Sequence, residues 1–291
     1  MALRGSSRLG MSEVALQKVS ESCSLPRKKV SSMTAKLNFD PWIVCPKPNI
    51  QARLRLFCFP CAGGTIAGYS TWSKNLQPNV EVYIVQLPGR GSRLMELPFT
   101  KLSHLAQTLV PILQPYLNEP FAFFGHSMGA VLGFEVARQL RRQDNPGPVH
   151  LFACSSPAPQ RPILKPPIHT LPEAEFVAEM RNRYNGIPQS IVENKELLQI
   201  FLPSLRADLT MLETYVYTTE KPLDCPISAF GGLQDSGLSK SDLVDWRAQT
   251  LKSFTLQMFP GDHFFLHSNK SPFLQVLSQQ ISQLLGCFTQ S

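Results

Sequence analysis

The chain has 291 residues, of which 43% are hydrophobic and 17% charged, and its formal net charge is +7. This composition is typical of a globular protein with one large core and does not require a second domain. Residues 1–36 carry seven basic and two acidic side chains, so the positive charge belongs mainly to this leader. The remaining chain is nearly balanced, which argues against a nucleic-acid-binding surface on the folded part.

The apolar runs and the cysteines favour a cytoplasmic location. No apolar run approaches the ~20 residues that cross a bilayer, and the first 30 residues lack the apolar core of a secretion signal. The seven cysteines are odd in number and scattered, which favours reduced thiols. Cys58 and Cys61 form a C-x-x-C, but there is no second pair and no histidine at ligand spacing, so we expect no metal or redox site there.

Residues 1–36 are rich in Ser, Lys and Arg and show no sustained periodicity, so we expect them to be disordered. A basic, Ser-rich and acid-poor start is also typical of a transit peptide. We favour the simpler interpretation that translation normally begins at Met33 or Met11. The folded domain is then expected to cover residues 37–291.

From about residue 52, short apolar runs alternate with segments of helical periodicity. Strands that are apolar on both faces and alternate with helices indicate an α/β fold with a mostly parallel sheet, covered on both sides. The predicted strands are Leu54–Phe59, Val80–Leu87, Phe121–Gly125, Val149–Cys154, Ile227–Phe230 and Phe254–Phe259. The predicted helices lie near residues 101–115, 128–142, 240–250 and 271–285.

One stretch interrupts this alternation. Six prolines fall within residues 157–172, a density that excludes regular helix or strand. Two amphipathic helical patterns follow, at about 172–184 and 194–217. We interpret residues 157–220, called the lid segment below, as a helical insertion that covers a site. Its apolar faces could also simply pack on the main core, and the two interpretations are compatible.

Residues 125–129 form a G-x-S-x-G with Ser127 at its centre. A predicted strand precedes this pentapeptide and a predicted helix follows it, which is the context of a nucleophile elbow. In such a turn the serine stands at the apex, and bulky side chains two positions away would collide. The alternative is a helix start with a capping serine. The context favours Ser127 as a catalytic nucleophile.

A nucleophilic serine needs a histidine as its base. His263 follows the last predicted strand, on a loop at the end of the sheet where sites form in open α/β folds. His267 lies one turn later, and we favour His263 over it. The other histidines adjoin the serine, begin a helix or a strand, or lie in the proline-rich stretch: His126, His104, His150 and His169.

The third member of a triad is an acid between the serine and the histidine in chain order. Asp235 lies just past the strand Ile227–Phe230 on a glycine-rich turn, and its role would be to orient the imidazole and stabilise the imidazolium. The remaining candidates precede that strand, fall in the next helix or adjoin His263 too closely: Asp224, Asp242, Asp245 and Asp262.

Two backbone amides should stabilise the oxyanion that forms on the attacked carbonyl. One is the amide of Met128, directly after the nucleophile. The other is expected from residues 60–65, called the oxyanion loop below, which follow the first core strand. Small residues there allow close approach of the backbone to a substrate, and Ala62 is the predicted donor.

Several motifs together resemble the type II thioesterases, stand-alone α/β-hydrolases that work beside polyketide and nonribosomal peptide synthetases. The fatty-acid synthase thioesterase that releases medium-chain acids is a relative of this family. The resemblance covers about residues 52–285. It is carried by Phe59-Pro60-x-Ala62-Gly63-Gly64, Gln86-Leu87-Pro88-Gly89-Arg90-Gly91, Phe124-Gly125-His126-Ser127-Met128-Gly129-Ala130 and Gly261-Asp262-His263-Phe264-Phe265, with Arg206-Ala207-Asp208, Tyr215, Asp242-Leu243 and Trp246 as lesser matches.

This resemblance implies an α/β-hydrolase fold with a helical lid, and hydrolysis of acyl groups held on the 4′-phosphopantetheine arm of an acyl or peptidyl carrier protein. Family members either clear stalled acyl units or release the product. Ser127, His263, Asp235, Met128 and Ala62 match the family's functional positions. No cofactor, metal, nucleic acid or membrane partner is expected, and a monomer is favoured, although the sequence leaves the oligomeric state open.

Two other functions are compatible with parts of this pattern. A carboxylesterase or lipase acting on free esters would use the same triad, since thioesters and oxygen esters share the acyl-enzyme and the oxyanion. A non-catalytic binding protein on a hydrolase fold is disfavoured, because such proteins normally lose a triad member.

Overall fold

The computed structural model describes residues 40–162, 165–268 and 270–287. The prediction of a disordered leader, 1–36, therefore falls outside the described residues. Among the helices described, none is both long enough and apolar enough to cross a bilayer.

A seven-stranded sheet forms the centre of the protein, in the order β1-β3-β2-β4-β5-β6-β7. All neighbouring strands run parallel except β1, which pairs antiparallel with β3 at one edge. The strands are β1 (Ile43–Val44), β2 (Leu54–Phe59), β3 (Val80–Val85), β4 (Phe121–His126), β5 (His150–Cys154), β6 (Ile227–Gly232) and β7 (Phe254–Phe259). The fold is the α/β-hydrolase fold that the sequence predicts.

Helices lie against both faces of the sheet. They are α1 (Leu102–Leu113), α2 (Met128–Arg142), α3 (Glu173–Tyr184), α4 (Gln189–Val192), α5 (Lys195–Glu213), α6 (Lys240–Val244), α7 (Phe265–Ser268) and α8 (Lys270–Cys287). Alternate strand residues face opposite sides. Phe57 and Phe123 pack in a cluster with α1 and α2, whereas Leu56 and Phe124 pack in a second cluster with α8. Both faces are thus buried, which explains the uninterrupted apolar runs.

Most predicted elements are present, with small differences at their ends. The predicted strand from Val80 ends at Val85 and not Leu87. The helix predicted near 240–250 is two pieces, α6 and a 3₁₀ helix at Asp245–Gln249. Strand β1 is not among the predicted elements, because two residues are too few for a period-2 pattern to emerge.

The lid segment contains α3, α4 and α5, and has a small apolar core of its own. Phe176 of α3 is fully buried there, with the Arg206 guanidinium of α5 lying 4.2 Å from its ring centroid. The other buried members of this cluster are Ile168, Met180, Ile187, Leu202, Leu205 and Leu209. The proline-rich stretch forms no helix or strand in its described residues, 157–162 and 165–172. The helical content of the insertion agrees with the prediction, and its action as a lid stays a prediction.

Candidate active site

Ser127 stands alone between the end of β4 and the start of α2. Its backbone has φ 54° and ψ −117°, a conformation that non-glycine residues rarely adopt. The Ser127 amide donates a hydrogen bond of 2.8 Å to the carbonyl of Cys154 at the end of β5. The strained turn is therefore held by the neighbouring strand, and the hydroxyl is presented at the carboxyl edge of the sheet, as a nucleophile elbow requires.

The two glycines of the motif are required by space. A Cβ built on Gly129 would lie 2.1 Å from the carbonyl oxygen of Phe59, and one built on Gly125 would lie 2.3 Å from the carbonyl oxygen of Gly129. Both clashes are with backbone, which cannot rotate away as a side chain can. The elbow therefore needs glycine on both sides of the serine.

Replacing Gly129 by alanine is expected to cost at least ~3 kcal/mol of unfolding free energy, because β2 or α2 must shift to admit the methyl group. Urea denaturation of the purified variant measures this loss. Gly147→Ala is the matched control, since a Cβ there meets no atom within 4 Å, and its stability should stay within ~0.5 kcal/mol of the parent. A Gly129→Ala protein of normal stability would contradict the tight-turn geometry.

The structure brings His263 to Ser127. The His263 Nε2 lies 3.0 Å from the Ser127 Oγ, and its Nδ1 lies 2.7 Å from the Asp235 Oδ2. Since a carboxylate only accepts, Nδ1 carries the proton, and in the neutral ring Nε2 accepts from the serine hydroxyl. His267, the alternative base, lies on α7 and hydrogen-bonds through its backbone amide to Phe264. The geometry favours His263.

Asp235 lies three residues past β6 and is 9% exposed. Its Oδ2 faces His263, and its Oδ1 accepts a 2.9 Å hydrogen bond from the amide of Gly237. The other acids of this region have different partners. Asp242 caps α6 through Ser239, and Asp224 forms an exposed ion pair with Lys252. The residues that the sequence predicts as serine, histidine and acid thus form one hydrogen-bonded series.

His126 holds the loop of His263 in place, a role that the sequence did not reveal. Its Nε2 lies 3.0 Å from the backbone carbonyl of His263, and its Nδ1 is buried without a hydrogen-bond partner among the described residues. Burial, reinforced by the neighbouring His263, holds the pKa of His126 well below its usual range. The ring is therefore neutral, with Nε2–H donating to the carbonyl.

Ala62 and Met128 are the predicted oxyanion donors. Ala62 lines the same narrow space as Ser127 and His263. Among the described residues, the Ala62 amide has no protein acceptor. Met128 begins α2, and first-turn amides of a helix have no intrahelical acceptor. Both amides are therefore available to a substrate oxygen.

Arg90 and Asp208, which belong to matched motifs without an assigned role, form a buried ion pair beside the oxyanion loop. The Arg90 guanidinium makes two hydrogen bonds to the Asp208 carboxylate, of 2.6 and 2.8 Å. Asp208 lies on α5 and also accepts a 2.8 Å hydrogen bond from the amide of Gly63. Their positions are 118 residues apart, so no spacing signal in the sequence joins them.

Two cavities lie near Ser127. One, of about 580 Å³, extends from Ala62 along the lid residues Ile187 and Phe201. The other, of about 290 Å³, extends from Ser127 and His263 towards other parts of the lid segment. A narrow space lined by both the serine and Ala62 lies between them.

The thiols near the site are not competing nucleophiles. Burial raises the pKa of Cys61 to about 12 and that of Cys58 well above its usual range. Both remain protonated at neutral pH, and a thiol is a far weaker nucleophile than a thiolate. Neither of these C-x-x-C cysteines forms a disulfide.

The fold and this arrangement of serine, histidine and carboxylate define an α/β-hydrolase. Within that class, the thioesterase domain family model matches residues 54–283. The chain belongs to the thioesterase family and is a thioester hydrolase of the type II group.

Three relatives illustrate the likeness. The gramicidin S biosynthesis protein GrsT of Aneurinibacillus migulanus is 41% identical over 254 residues, 87% of this chain and 99% of GrsT. The human medium-chain S-acyl fatty acid synthase thioesterase is 31% identical over 230 residues, 76% of this chain and 84% of the relative. The structure of the type II thioesterase BorB from the borrelidin biosynthetic cluster superposes with a TM-score of 0.73 at 33% identity, covering 82% of this chain and 96% of BorB.

Proposed function

We propose that this thioesterase hydrolyses acyl groups held on the 4′-phosphopantetheine arm of an acyl or peptidyl carrier protein, for editing or for release of a product. The observation that carries the proposal is the hydrogen-bonded series from Ser127 through His263 to Asp235, near two cavities. Support for the carrier comes from relatives named for gramicidin S biosynthesis and for the borrelidin cluster.

In the acylation step, the Ser127 Oγ attacks the thioester carbonyl carbon while His263 Nε2 takes its proton. The carbonyl π electrons move to oxygen, and the amides of Ala62 and Met128 stabilise the oxyanion. Asp235 stabilises the imidazolium through Nδ1–H. Collapse re-forms the carbonyl and breaks the carbon–sulfur bond, and the pantetheine sulfur leaves with the proton from His263.

In the deacylation step, water replaces the departed thiol beside His263. The His263 ring takes one proton from the water molecule as the water oxygen attacks the ester carbonyl. The amides of Ala62 and Met128 stabilise the second oxyanion. Collapse breaks the bond between the carbonyl carbon and the Ser127 Oγ, which recovers its proton from His263. The products are the free carboxylic acid and the original enzyme.

The substrate proposal is tested by comparing kcat/KM for one acyl group on three carriers. These are a loaded carrier protein, a minimal pantetheine mimic and an oxygen ester. We expect the carrier-bound thioester to exceed the other two by at least about 10-fold, equivalent to ~1.4 kcal/mol of added transition-state stabilisation. Raising the salt concentration should lower kcat/KM only for the loaded carrier protein. An acidic carrier surface would be attracted to the enzyme over a longer range than the pantetheine arm, and salt screens that attraction.

Equal values on all three substrates would contradict the carrier assignment and indicate a general esterase. That outcome would leave the assignment of the active-site residues unchanged, because the same chemistry hydrolyses thioesters and oxygen esters.

We also propose a cytoplasmic location. The described cysteines Cys45, Cys58, Cys61, Cys154 and Cys225 are all free thiols, as is usual in a reducing compartment. The test is to label the thiols of this protein in the cell fraction with a thiol reagent, before and after reduction. An increase in labelling after reduction would contradict a cytoplasmic location.

A further inference from the structure

We propose that Asp208, held by Arg90, is a positioning residue that fixes the Ala62 oxyanion donor and makes it depend on docking of the lid helix α5. This inference rests on the proposed function, because it presumes that Ala62 stabilises an oxyanion. It assigns a role to two motif residues that touch neither the serine nor the histidine.

The oxyanion loop contains a four-residue turn from Cys61 to Gly64. The Gly64 amide donates a 2.9 Å hydrogen bond to the Cys61 carbonyl, and Gly63, the third residue, has φ +68°. A positive φ at the third position is the mark of a type II turn. Because the peptide bond is trans and planar, the Cys61 carbonyl and the Ala62 N–H point in opposite directions. The bond to Gly64 thus directs the Ala62 N–H away from the inside of the turn.

The Asp208 carboxylate fixes the central peptide of that turn. Its Oδ2 accepts from the Gly63 amide at 2.8 Å. Type I and type II turns differ by a flip of this central peptide. A flip would turn the Gly63 N–H away from Asp208 and leave a buried donor and a buried charge with one partner fewer, which is unfavourable. Asp208 therefore anchors the turn at Gly63, the residue next to Ala62, while the Cys61–Gly64 hydrogen bond sets the direction of the Ala62 N–H.

Arg90 neutralises the charge of the Asp208 carboxylate beside the oxyanion loop. An unpaired anion near the oxyanion loop would oppose the negative charge that develops on the substrate oxygen. The guanidinium pairs with both carboxylate oxygens and also donates to the Gly64 carbonyl at 3.4 Å. Arg90 is 5% exposed and Asp208 1%, so water screens the pair weakly. The pair supplies a hydrogen-bond acceptor for Gly63 with little net charge.

The lid helix contributes more than the carboxylate. Phe201 and Leu205 of α5 pack on Gly63, since a Cβ there would lie 2.6 Å from the Phe201 ring and 3.2 Å from Leu205. Asp208 is one turn further along the same helix. A movement of α5 away from the loop would withdraw both the packing and the carboxylate. The oxyanion donor is thus complete only while α5 is docked.

The test separates oxyanion stabilisation from binding and folding. Asp208→Asn is compared with Glu135→Gln, which breaks a second buried ion pair, to Arg138 of α2 at 2.6 Å, outside the site. Turnover is measured on an aryl ester, which needs no carrier protein. Two inhibitors are titrated: an acyl trifluoromethyl ketone, which forms an anionic adduct with serine, and an acyl-pantetheine ether, which forms none.

For Asp208→Asn we expect kcat to fall about 10- to 100-fold with KM changed less than about 3-fold, somewhat less than the loss of a whole oxyanion donor. The affinity for the trifluoromethyl ketone should fall by a similar factor, whereas the affinity for the acyl-pantetheine ether should stay unchanged. Arg90→Lys, which keeps the charge but not both hydrogen bonds, should give an intermediate loss. Glu135→Gln should lose stability but not kcat.

Unchanged kcat in folded Asp208→Asn, or equal losses of ketone and ether affinity, would overturn the inference. If Asp208→Asn does not fold, Arg90→Lys gives the same comparison, and normal ketone affinity in it would overturn the inference too. The proposed function fails on a different result, namely a Ser127→Ala protein that still binds the ketone as tightly as the parent.

Discussion

Replacement of Ser127 by alanine is expected to lower kcat by about 10⁶-fold, as for other hydrolases in which the serine is the nucleophile. The variant should fold normally, because the hydroxyl contacts His263 and has no packing role in the core. Turnover on a carrier-bound thioester and thermal unfolding measure the two effects. A serine-directed phosphonate should label the parent once, and mass spectrometry should place the adduct on Ser127.

Ser155 offers a matched control for this experiment. It too is a serine at positive φ, 48°, immediately after a strand, and it is 1% exposed. It lines the smaller cavity but makes no hydrogen bond to a histidine in the described structure. Ser155→Ala should stay within about 10-fold of the parent. An adduct on Ser155, or labelling that survives Ser127→Ala, would show that Ser127 is not the nucleophile.

The same reasoning predicts that the residues act as a unit. His263→Ala should be as damaging as Ser127→Ala, and the double variant little worse than either, because each change alone removes the activated nucleophile. His267→Ala should be nearly normal, since its ring is not within hydrogen-bonding distance of Ser127. Loss of activity in His267→Ala with near-normal His263→Ala would reverse the choice of base.

The residues that could be predicted from sequence are those that a local sequence pattern marks. The turn at Ser127 requires glycine on both sides, and both glycines fall within the pentapeptide, although the clash at Gly129 is with distant Phe59 of β2. Asp235 and His263 each follow a recognisable strand, and the parallel topology brings strand ends to one edge of the sheet. Local pattern and chain order are therefore sufficient to predict them.

The residues without a predicted role depend on contacts between distant segments. Arg90 lies in a loop after β3 and Asp208 in the lid helix, and only packing of the lid segment on the sheet brings them together. The sequence predicts no role for His126, whose contact with the carbonyl of His263 spans 137 positions. The small core of the lid segment is likewise formed by three separate stretches. Neither periodicity nor motif spacing contains this information.

Asp235→Asn is expected to lower kcat by about 10⁴-fold while leaving the fold intact, and the structure gives the reason in detail. The Asp235 Oδ1 accepts from the Gly237 amide and its Oδ2 from His263 Nδ1. An asparagine has only one acceptor oxygen, and the fixed Gly237 amide would donate its hydrogen bond to that oxygen. The NH₂ group would then face His263 and donate to Nδ1.

That reversal places the imidazole proton on Nε2, where it points at the Ser127 Oγ instead of accepting from it. The base is lost although no atom has moved far, so binding should persist and KM should change little. Kinetics with the aryl ester and a crystal structure of the variant check both statements. Asp262→Asn is the control, because Asp262 adjoins His263 but its Oδ1 accepts from the Phe264 amide. A larger loss in Asp262→Asn than in Asp235→Asn would identify Asp262 as the acid, and normal activity in both would mean that this enzyme does not need a carboxylate to orient His263.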